Sequence, residues 1–599
     1  MSRANQPLLL GWRLRNFKSI AAVDLELAPL TVLVGANSTG KSSLIQSMLL
    51  AAQAAGAPAG EPGVPLNGPL VELGELADVR RAAAGSGAAV AIGCTLARAG
   101  AATGRELEWD AELVAAPRGE GGGLARVRSL RLSCPADGGG RLELTADRRW
   151  RWDLGPAAAG RGGAEQATPP LPGRVRWPRP GGVDGRPVAV GVTLRGGMPE
   201  SLLVRSDRNA VAVELWTARV RQAFALDRRP QFLEGAEPAP HADAGDLARA
   251  ALARLAALAA AAIAASTRGE GQPGAEIAAV FTAFEELRQD SARRGYWRAL
   301  ADGVNGREFA AALAAAVGPG EAVARPAAED PDTAELARRI ESAASAVAEL
   351  LSTRLLHLGP LRQDPQLLYR NAPSGRPGFV GDRGEYAIAA LHRQAGSERP
   401  RPLPDGSVRP VALGEAVNQW LGALGLAAAI DTSDRARLGL EARLEMPEVA
   451  RALGMTAVGV GVSQALPVLV MALAAPPGSV LLLEQPELHL HPAVQQRLAD
   501  FLLACAGSGR QVIVETHSDH LVTRLRRRIA EAPGDELVDS VAVVLAERDA
   551  AGTRLYRLPT NRYGGLDEWP EGFFDEGALD SRALLRAGLR KRGDAGPES

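Results

Sequence analysis

The chain carries Gly35-Ala36-Asn37-Ser38-Thr39-Gly40-Lys41-Ser42, which fits GxxxxGK[ST], with Ser43 next in line. It directly follows the apolar run Leu30 to Val34 and directly precedes a helical pattern from Ser42 to Ala55. Strand, glycine-rich turn and helix in this order build a phosphate cradle: glycines let successive backbone N–H groups curl around phosphate oxygens, and the helix N-terminus adds partial positive charge. In such a cradle Lys41 reaches the terminal phosphates and Ser42 offers its hydroxyl to Mg2+. The plain alternative is a turn that happens to cap a helix, and the flanks on both sides weigh against it. So does the lysine. Of 68 lysines and arginines only Lys18, Lys41 and Lys591 are lysine, and a chain that uses arginine almost everywhere keeps lysine where a compact ammonium is needed.

A second block holds acids and imidazoles. Val480-Leu481-Leu482-Leu483 ends in Glu484, followed by Gln485-Pro486-Glu487 and then Leu488-His489-Leu490-His491-Pro492. Four apolar residues ending in a carboxylate predict a buried strand whose C-terminal end delivers Glu484 next to the cradle, to hold Mg2+ directly or through water. Pro492 opens a helix through Ala504, and the next strand, Gln511 to Glu515, ends at Thr516-His517-Ser518. Strand, helix and strand make a right-handed crossover, so Glu484 and His517 emerge on one sheet edge. His517 is then placed to meet a γ-phosphate. Four of the seven histidines crowd here (His489, His491, His517, His520), so zinc is the rival reading; no HxxxH spacing or nearby cysteines accompany them.

A third element is Val458-Gly459-Val460-Gly461-Val462-Ser463-Gln464, before the apolar stretch Ala465 to Ala475. Ser463 reads as an exposed N-cap and Pro467 as a first-turn residue. A glycine-flanked helix start is an anion site able to face another subunit's nucleotide.

The elements that must position these groups point to an α/β chain. Strands are expected at Leu9 to Phe17 and Val23 to Leu27, and antiparallel ones at Arg105 to Val114, Arg126 to Cys134 and Pro187 to Leu194. Gly155 to Arg186 reads as a long loop. Helices are expected at Leu247 to Ala265, Gly274 to Asp302 and Thr333 to Leu351. Sheet-like sequence returns at Arg354 to Leu358, with a helix at Ala412 to Leu424 and a strand at Ala436 to Leu444.

Composition sets the outer limits. At 599 residues, with about 150 per domain, the chain holds three or four domain-sized pieces and needs no disulfides to bury a core. Cys94, Cys134 and Cys505 lie far apart without a CxxC pair, which removes a disulfide framework and fits a reducing cytoplasm. With 68 basic against 69 acidic residues the net charge is -1, so bulk charge argues for no nucleic-acid partner. The charge-free run Ala452 to Leu483 is broken by glycines, Ser463, Gln464 and Pro476-Pro477-Gly478, which reads as buried core rather than a membrane span. With no apolar signal core at the N-terminus, a cytoplasmic location is expected. Two basic runs, Arg524 to Arg528 and Arg586 to Arg592, are candidates for phosphate-backbone contact, against the commoner solvated face.

The order cradle, long insertion, Gly/Ser signature, acidic strand and histidine switch resembles ATP-binding-cassette heads. Within that class it is similar to the bacterial AAA-type ATPases related to the chromosome-maintenance and OLD (overcoming lysogenization defect) families. Leu14-Arg15-Asn16-Phe17-Lys18-Ser19, Leu358-Gly359-Pro360-Leu361-Arg362 and Glu484-Gln485-Pro486-Glu487-Leu488-His489-Leu490-His491-Pro492 carry the likeness, and Asn561 to Asp575 resembles a C-terminal domain of unknown function found on some members. The resemblance implies a P-loop NTPase of ABC-head type with an antiparallel β region and a helical insertion. Its expected parts are residues 1–80, the N-terminal head with the P-loop; 81–215, antiparallel β; 216–351, helical; 352–530, the C-terminal head with signature, Walker B strand and switch histidine; and 531–599, the domain of unknown function and tail.

It also implies a homodimer that sandwiches two ATP molecules. Residues 35–43 would bind phosphates, Ser42 and Glu484 would hold Mg2+, Ser463 would be the signature serine given in trans, His491 would lie in the dimer-contact loop, and His517 would be the γ-phosphate switch. Gln485 departs from the pattern, because an amide cannot take the proton that the usual glutamate accepts. Either Glu487 substitutes or hydrolysis is slow. No metal-dependent nuclease domain or central CxxC hook is readable, so an effector would act in trans. The expected function is an Mg2+-dependent ATP hydrolase signalling to DNA or an effector protein, with a phage-defence setting as the family tendency. The alternatives are an ATP-sensing clamp with little turnover and a small-molecule P-loop kinase.

Overall fold

Leu30–Val34 is buried along its whole length, and a strand covered on both faces belongs inside a parallel sheet. The computed structural model describes residues 9–58, 63–97, 106–116, 123–134, 140–145, 171–176, 188–226, 243–268, 282, 307–319, 322–327, 333–372, 375–447, 449–566 and 576–594. Its parallel strands run in the order Leu355–Leu358, Val480–Glu484, Gln511–Glu515, Leu30–Val34, Val541–Asp549. All five point the same way, so their C-terminal ends share one edge. The helix Pro492–Gly507 joins the second strand to the third, the crossover expected from the sequence.

Beyond Val541–Asp549 the sheet turns antiparallel. That strand forms a hairpin with Gly552–Leu558, which meets Ile20–Glu26 in a single parallel contact of Ile20 with Thr553. Antiparallel pairing then continues through Leu9–Phe17, Val90–Ala97, Glu106–Ala115, Leu124–Cys134, Gly140–Thr145, Leu171–Arg176 and Val188–Arg195. The helix Lys41–Ala55 is tied to this part by the buried Trp12, whose Nε1 donates to Ser47 Oγ at 2.9 Å.

Several expectations shift. Part of the expected loop Gly155 to Arg186 is the strand Leu171–Arg176, held by register with strands on both sides. The strand expected at Ala436 to Leu444 is a short 3-10 turn followed by Leu440–Glu445, paired with Ala429–Asp434. Residues 531–599, read as a domain of unknown function and tail with no strands placed in it, supply the hairpin beside the P-loop strand. The helix expected at Gly274 to Asp302 lies outside the described residues apart from Thr282.

The helix Val460–Ala474 is buried from Val462 onward. Two buried guanidinium groups close its C-terminal end: Arg401 Nε donates to the Leu473 carbonyl at 2.9 Å and Arg510 Nε to that of Ala475 at 2.8 Å. Neither has a carboxylate partner among its hydrogen bonds; the negative end of the helix dipole supplies the compensation. Burial and the other cation push the Arg401 guanidinium down to about 10.

The chain divides into two compact units, one of residues 1–148, 170–201 and 335–599 and the other of 149–169 and 202–334. The second has an antiparallel pairing of Leu203–Asp207 with Ala322–Pro326. Its helices Arg208–Leu226, Asp243–Arg268 and Glu308–Val317 share a core that includes Val213, Leu255, Ala259, Phe309 and Leu313. The alanine-rich stretch of the sequence is therefore a packed helix.

Candidate functional site

The turn after Leu30–Val34 takes left-handed backbone at Gly35 (φ 136°), Ser38 (φ 61°) and Gly40 (φ 103°). A side chain at Gly35 would put its Cβ 2.3 Å from the Ala546 carbonyl oxygen, and one at Gly40 would lie 2.7 Å from Thr553 Oγ1. Both glycines are thus demanded by φ and by the C-terminal hairpin behind the loop. Thr39 Oγ1 donates to the Ala36 carbonyl at 2.8 Å. The Thr553 hydroxyl donates to the Thr39 carbonyl at 2.7 Å and shares a hydrogen bond with Ser19 Oγ at 2.8 Å. Ala36, Asn37 and Ser38 are exposed and Ser43 is half-buried.

Lys41 is buried, and its Nζ donates to the Gly35 and Ala36 carbonyls at 2.9 and 2.8 Å. Burial lowers its pKa, opposed by the charge of Glu515. The Ser42 hydroxyl donates to that same Glu515, 3.1 and 3.0 Å from its two oxygens. This corrects the expected position of Glu484. The strand Gln511–Glu515 lies between the P-loop strand and the acidic strand, so the acid touching the P-loop serine is Glu515, and Glu484 stands one strand further out in register with it.

Glu484 has a partner of its own. His357 Nε2, from the neighbouring strand, donates to Glu484 Oε1 at 2.8 Å, and His357 Nδ1 lies 3.5 Å from Asp382 Oδ1, a Coulombic contact too long for a good hydrogen bond. Burial alone would lower the imidazole's pKa; Asp382 and Glu484 outweigh it and hold it above the ordinary value. Gln485 adopts φ 44°, and its backbone N–H donates to the Glu515 carbonyl at 2.7 Å. Glu487 is buried and accepts the His517 backbone N–H on Oε1 at 2.8 Å. Burial raises the pKa of Glu487, while the His517 N–H, the nearby Thr516 side chain and the charge of Arg362 oppose the rise. Burial, then the charge of Glu484, raises Glu515. Burial and the Lys41 charge depress His517, which favours its neutral imidazole.

The crossover therefore gathers Lys41, Ser42, Glu484, Glu487, Glu515 and His517 at one edge. Sequence reading missed Glu515 and His357; a carboxylate closing an apolar run, as at Glu484, was the available signal for Glu515. The donor set fits Mg2+: a serine hydroxyl and carboxylate oxygens are the hard ligands it prefers, and one or two carboxylates suffice when phosphates and water complete its shell. Among the described residues no group of three or more His, Cys, Asp or Glu is arranged to hold a metal ion. The histidines are separately employed, His491 for instance capping the helix Pro492–Gly507 by accepting from Ala493 N at 3.2 Å.

Ser463 departs from expectation. The helix starts at Val460 with Gly459 as its cap, so Ser463 lies inside it, buried, with Oγ donating to the Val460 carbonyl at 2.7 Å. Pro467 sits in the helix interior. Gly459 and Val460 are the exposed residues at this end. The basic run Arg524 to Arg528 is largely engaged within the protein: Arg524 and Arg528 bind Asp500, Arg527 binds Glu531, and Arg526 Nε donates to the Gly564 carbonyl.

Comparison with known proteins adds to this geometry. Residues 394–523 match a family model described as AAA domain, putative AbiEii toxin, Type IV TA system. That segment is similar to AAA domains. Residues 538–584 match one described as a protein of unknown function, DUF3696. No curated protein matches the chain. Solved structures similar to it include the Smc head domain with a coiled coil and joint from Pyrococcus yayanosii, at 12% identity over 92% of this chain and 97% of that one, TM-score 0.33. The SMC head from Thermotoga maritima is similar at 8% identity over 92% and 99%, TM-score 0.30. Likeness at this level carries nothing about activity. The architecture is mixed α/β, with a P-loop at the end of a central parallel strand and the acidic strand one place removed. No described helix is long and apolar enough to cross a membrane.

Proposed function

We propose that the chain is an Mg2+-dependent ATP-binding head that pairs with a second copy around two ATP molecules and hydrolyses them slowly. The observation that carries this reading is the Ser42 hydroxyl bonded to Glu515, whose charge also acts on the Lys41 ammonium, with Glu484 in register behind it. The carboxylates repel one another in a buried site, and a divalent cation with a triphosphate supplies the missing countercharge and oxygen ligands. Lys41, now bonded to loop carbonyls, would exchange them for phosphate oxygens.

The signature glycines favour the paired form. Gly459 has φ -59° and a Cβ there would meet nothing within 4 Å, while at Gly461 it would meet Leu490 Cδ2, the His489 carbonyl oxygen and Leu426 Cδ2 at ordinary contact distances of 3.5, 3.8 and 3.9 Å. The chain's own fold requires neither glycine. Close approach from outside does, and the N-terminus of a buried helix attracts an anion such as a partner's triphosphate. Ser463 then acts from within the first turn by ordering it, rather than as an exposed cap.

Gln485 supports the second reading, an ATP-sensing clamp whose occupancy controls an effector in trans. Phosphate release by the wild type, Lys41→Ala and Gln485→Glu separates the two, with light scattering reporting ATP-dependent pairing. Substantial Lys41-dependent turnover left unchanged by Gln485→Glu defeats the clamp; no adenine-nucleotide binding at all defeats both. The toxin–antitoxin wording of the matched AAA family is in keeping with an effector in a defence setting, and DNA as a target would draw on the exposed Arg582, Arg586 and Arg590 of the helix Glu576–Asp594 rather than on Arg524 to Arg528.

A further inference from the structure

Two buried groups beside the acidic strand have more hydrogen-bonding capacity than the protein uses. Arg362 is 5% exposed; its Nη2 donates to the Glu484 carbonyl at 3.2 Å, while Nε and Nη1 meet no acceptor. Glu487 is 7% exposed, and although Oε1 takes the His517 N–H, Oε2 has no partner. A buried polar atom left unpaired costs about 1–3 kcal/mol, so donors and acceptor alike call for a third party. The two side chains lie in each other's field yet form no direct ion pair. A molecule that accepts N–H bonds on one side and gives a proton on the other would satisfy both. Water is the smallest one.

The surroundings would give such a water a task. Glu487 is bonded to the backbone of His517, whose ring feels the charge of Lys41, and the field of Glu487 reaches Glu515 beside Ser42. Gln485, at the usual place for a base, carries an amide that cannot accept a proton. We propose that Glu487 is the base of hydrolysis and that Arg362, in the otherwise unassigned Leu358–Arg362 segment, is its positioning residue, the two holding the attacking water between Arg362 N–H donors and Glu487 Oε2. In the step, the water oxygen attacks the terminal phosphorus and its proton passes to Glu487. The bond from phosphorus to the bridging oxygen breaks, and ADP leaves with the electron pair. Arg362 stays charged throughout. This inference rests on the ATP-binding reading above and deepens it.

The test uses the full chain with MgATP, following phosphate release, nucleotide affinity and the lifetime of ATP-dependent pairs. Glu487→Gln is nearly isosteric. It should keep affinity within about threefold, slow phosphate release by about 100-fold or more, and lengthen the life of the paired state with bound nucleotide recovered as ATP. Arg362→Ala should lower kcat by about tenfold or more with KM little changed, and Arg362→Lys should restore part of the loss. Wild-type turnover in Glu487→Gln overturns the proposal, as does loss of nucleotide binding, rather than turnover, in Arg362→Lys. If Arg362→Ala does not fold, Arg362→Lys and Glu487→Gln decide. Failure of the wild type to bind ATP defeats the underlying reading; binding with Lys41-dependent turnover that ignores Glu487 defeats this inference alone.

Discussion

The Ser42 hydroxyl lies 3.1 and 3.0 Å from the two carboxylate oxygens of Glu515, so a residue in the first turn of the P-loop helix is bonded to the end of a strand 473 positions later in the chain. Replacing Glu515 with glutamine keeps a hydrogen-bond acceptor and removes the charge. Nucleotide affinity measured with Mg2+ should fall by about tenfold or more, in the range of a lost metal-site partner, while affinity in EDTA should barely change. Equal losses with and without Mg2+ would assign Glu515 a packing role only.

His357 gives the head a pH dependence of defined sign. Its pKa lies above the ordinary 6.5 because Asp382 and Glu484 overcome the effect of burial. Below that ordinary value the imidazole is protonated in the folded and unfolded chain alike, and its stabilisation is complete. As pH climbs through the raised folded value the proton leaves and the stabilisation is lost. The melting temperature should therefore drop across the window just above 6.5, and His357→Gln, which cannot titrate, should lose that part of the slope. An unchanged slope would locate the effect elsewhere.

Gly461 separates stability from pairing. Alanine fits there at normal contact distance and favours helix over glycine by about 0.5–1 kcal/mol. Gly461→Ala should melt no lower than the wild type and yet pair less readily on ATP. Undiminished pairing by light scattering would count against a phosphate approaching this helix end.

Thr553 tests the C-terminal hairpin as a brace for the P-loop. Thr553→Val conserves shape and strips the Thr39 carbonyl of its donor, a loss of about 1 kcal/mol. Nucleotide affinity should decline by several-fold with the fold preserved by circular dichroism. Intact affinity would mean the loop holds itself.

The parts legible in the sequence are those whose signal is local. Gly35, Gly40 and Lys41 announce themselves through spacing, and the buried strands through uninterrupted apolar runs. Glu515 and His357 did not stand out, because what makes them part of the site is strand order: each meets its partner across a neighbouring strand, and no window of sequence reveals which strands lie side by side. Ser463 misled for the opposite reason. Serine before an apolar run is a good cap signal, but Val460 and Val462 already belong to the helix, and a helix buried on nearly every side shows no amphipathic edge to mark its start. The place of Val541–Asp549 in the central sheet is not legible because distance along the chain says nothing about pairing with Leu30–Val34.

That last pairing has a consequence for biosynthesis. The strand bearing the P-loop is flanked on one side by Gln511–Glu515 and on the other by Val541–Asp549, so synthesis must run from Val34 to Gln511 and beyond before either flank exists. Until then the nascent N-terminus has a sticky, unpaired β edge and no means of gripping a nucleotide. A chain truncated before Gln511 should therefore leave the cradle strand without either neighbour, whatever else of it folds.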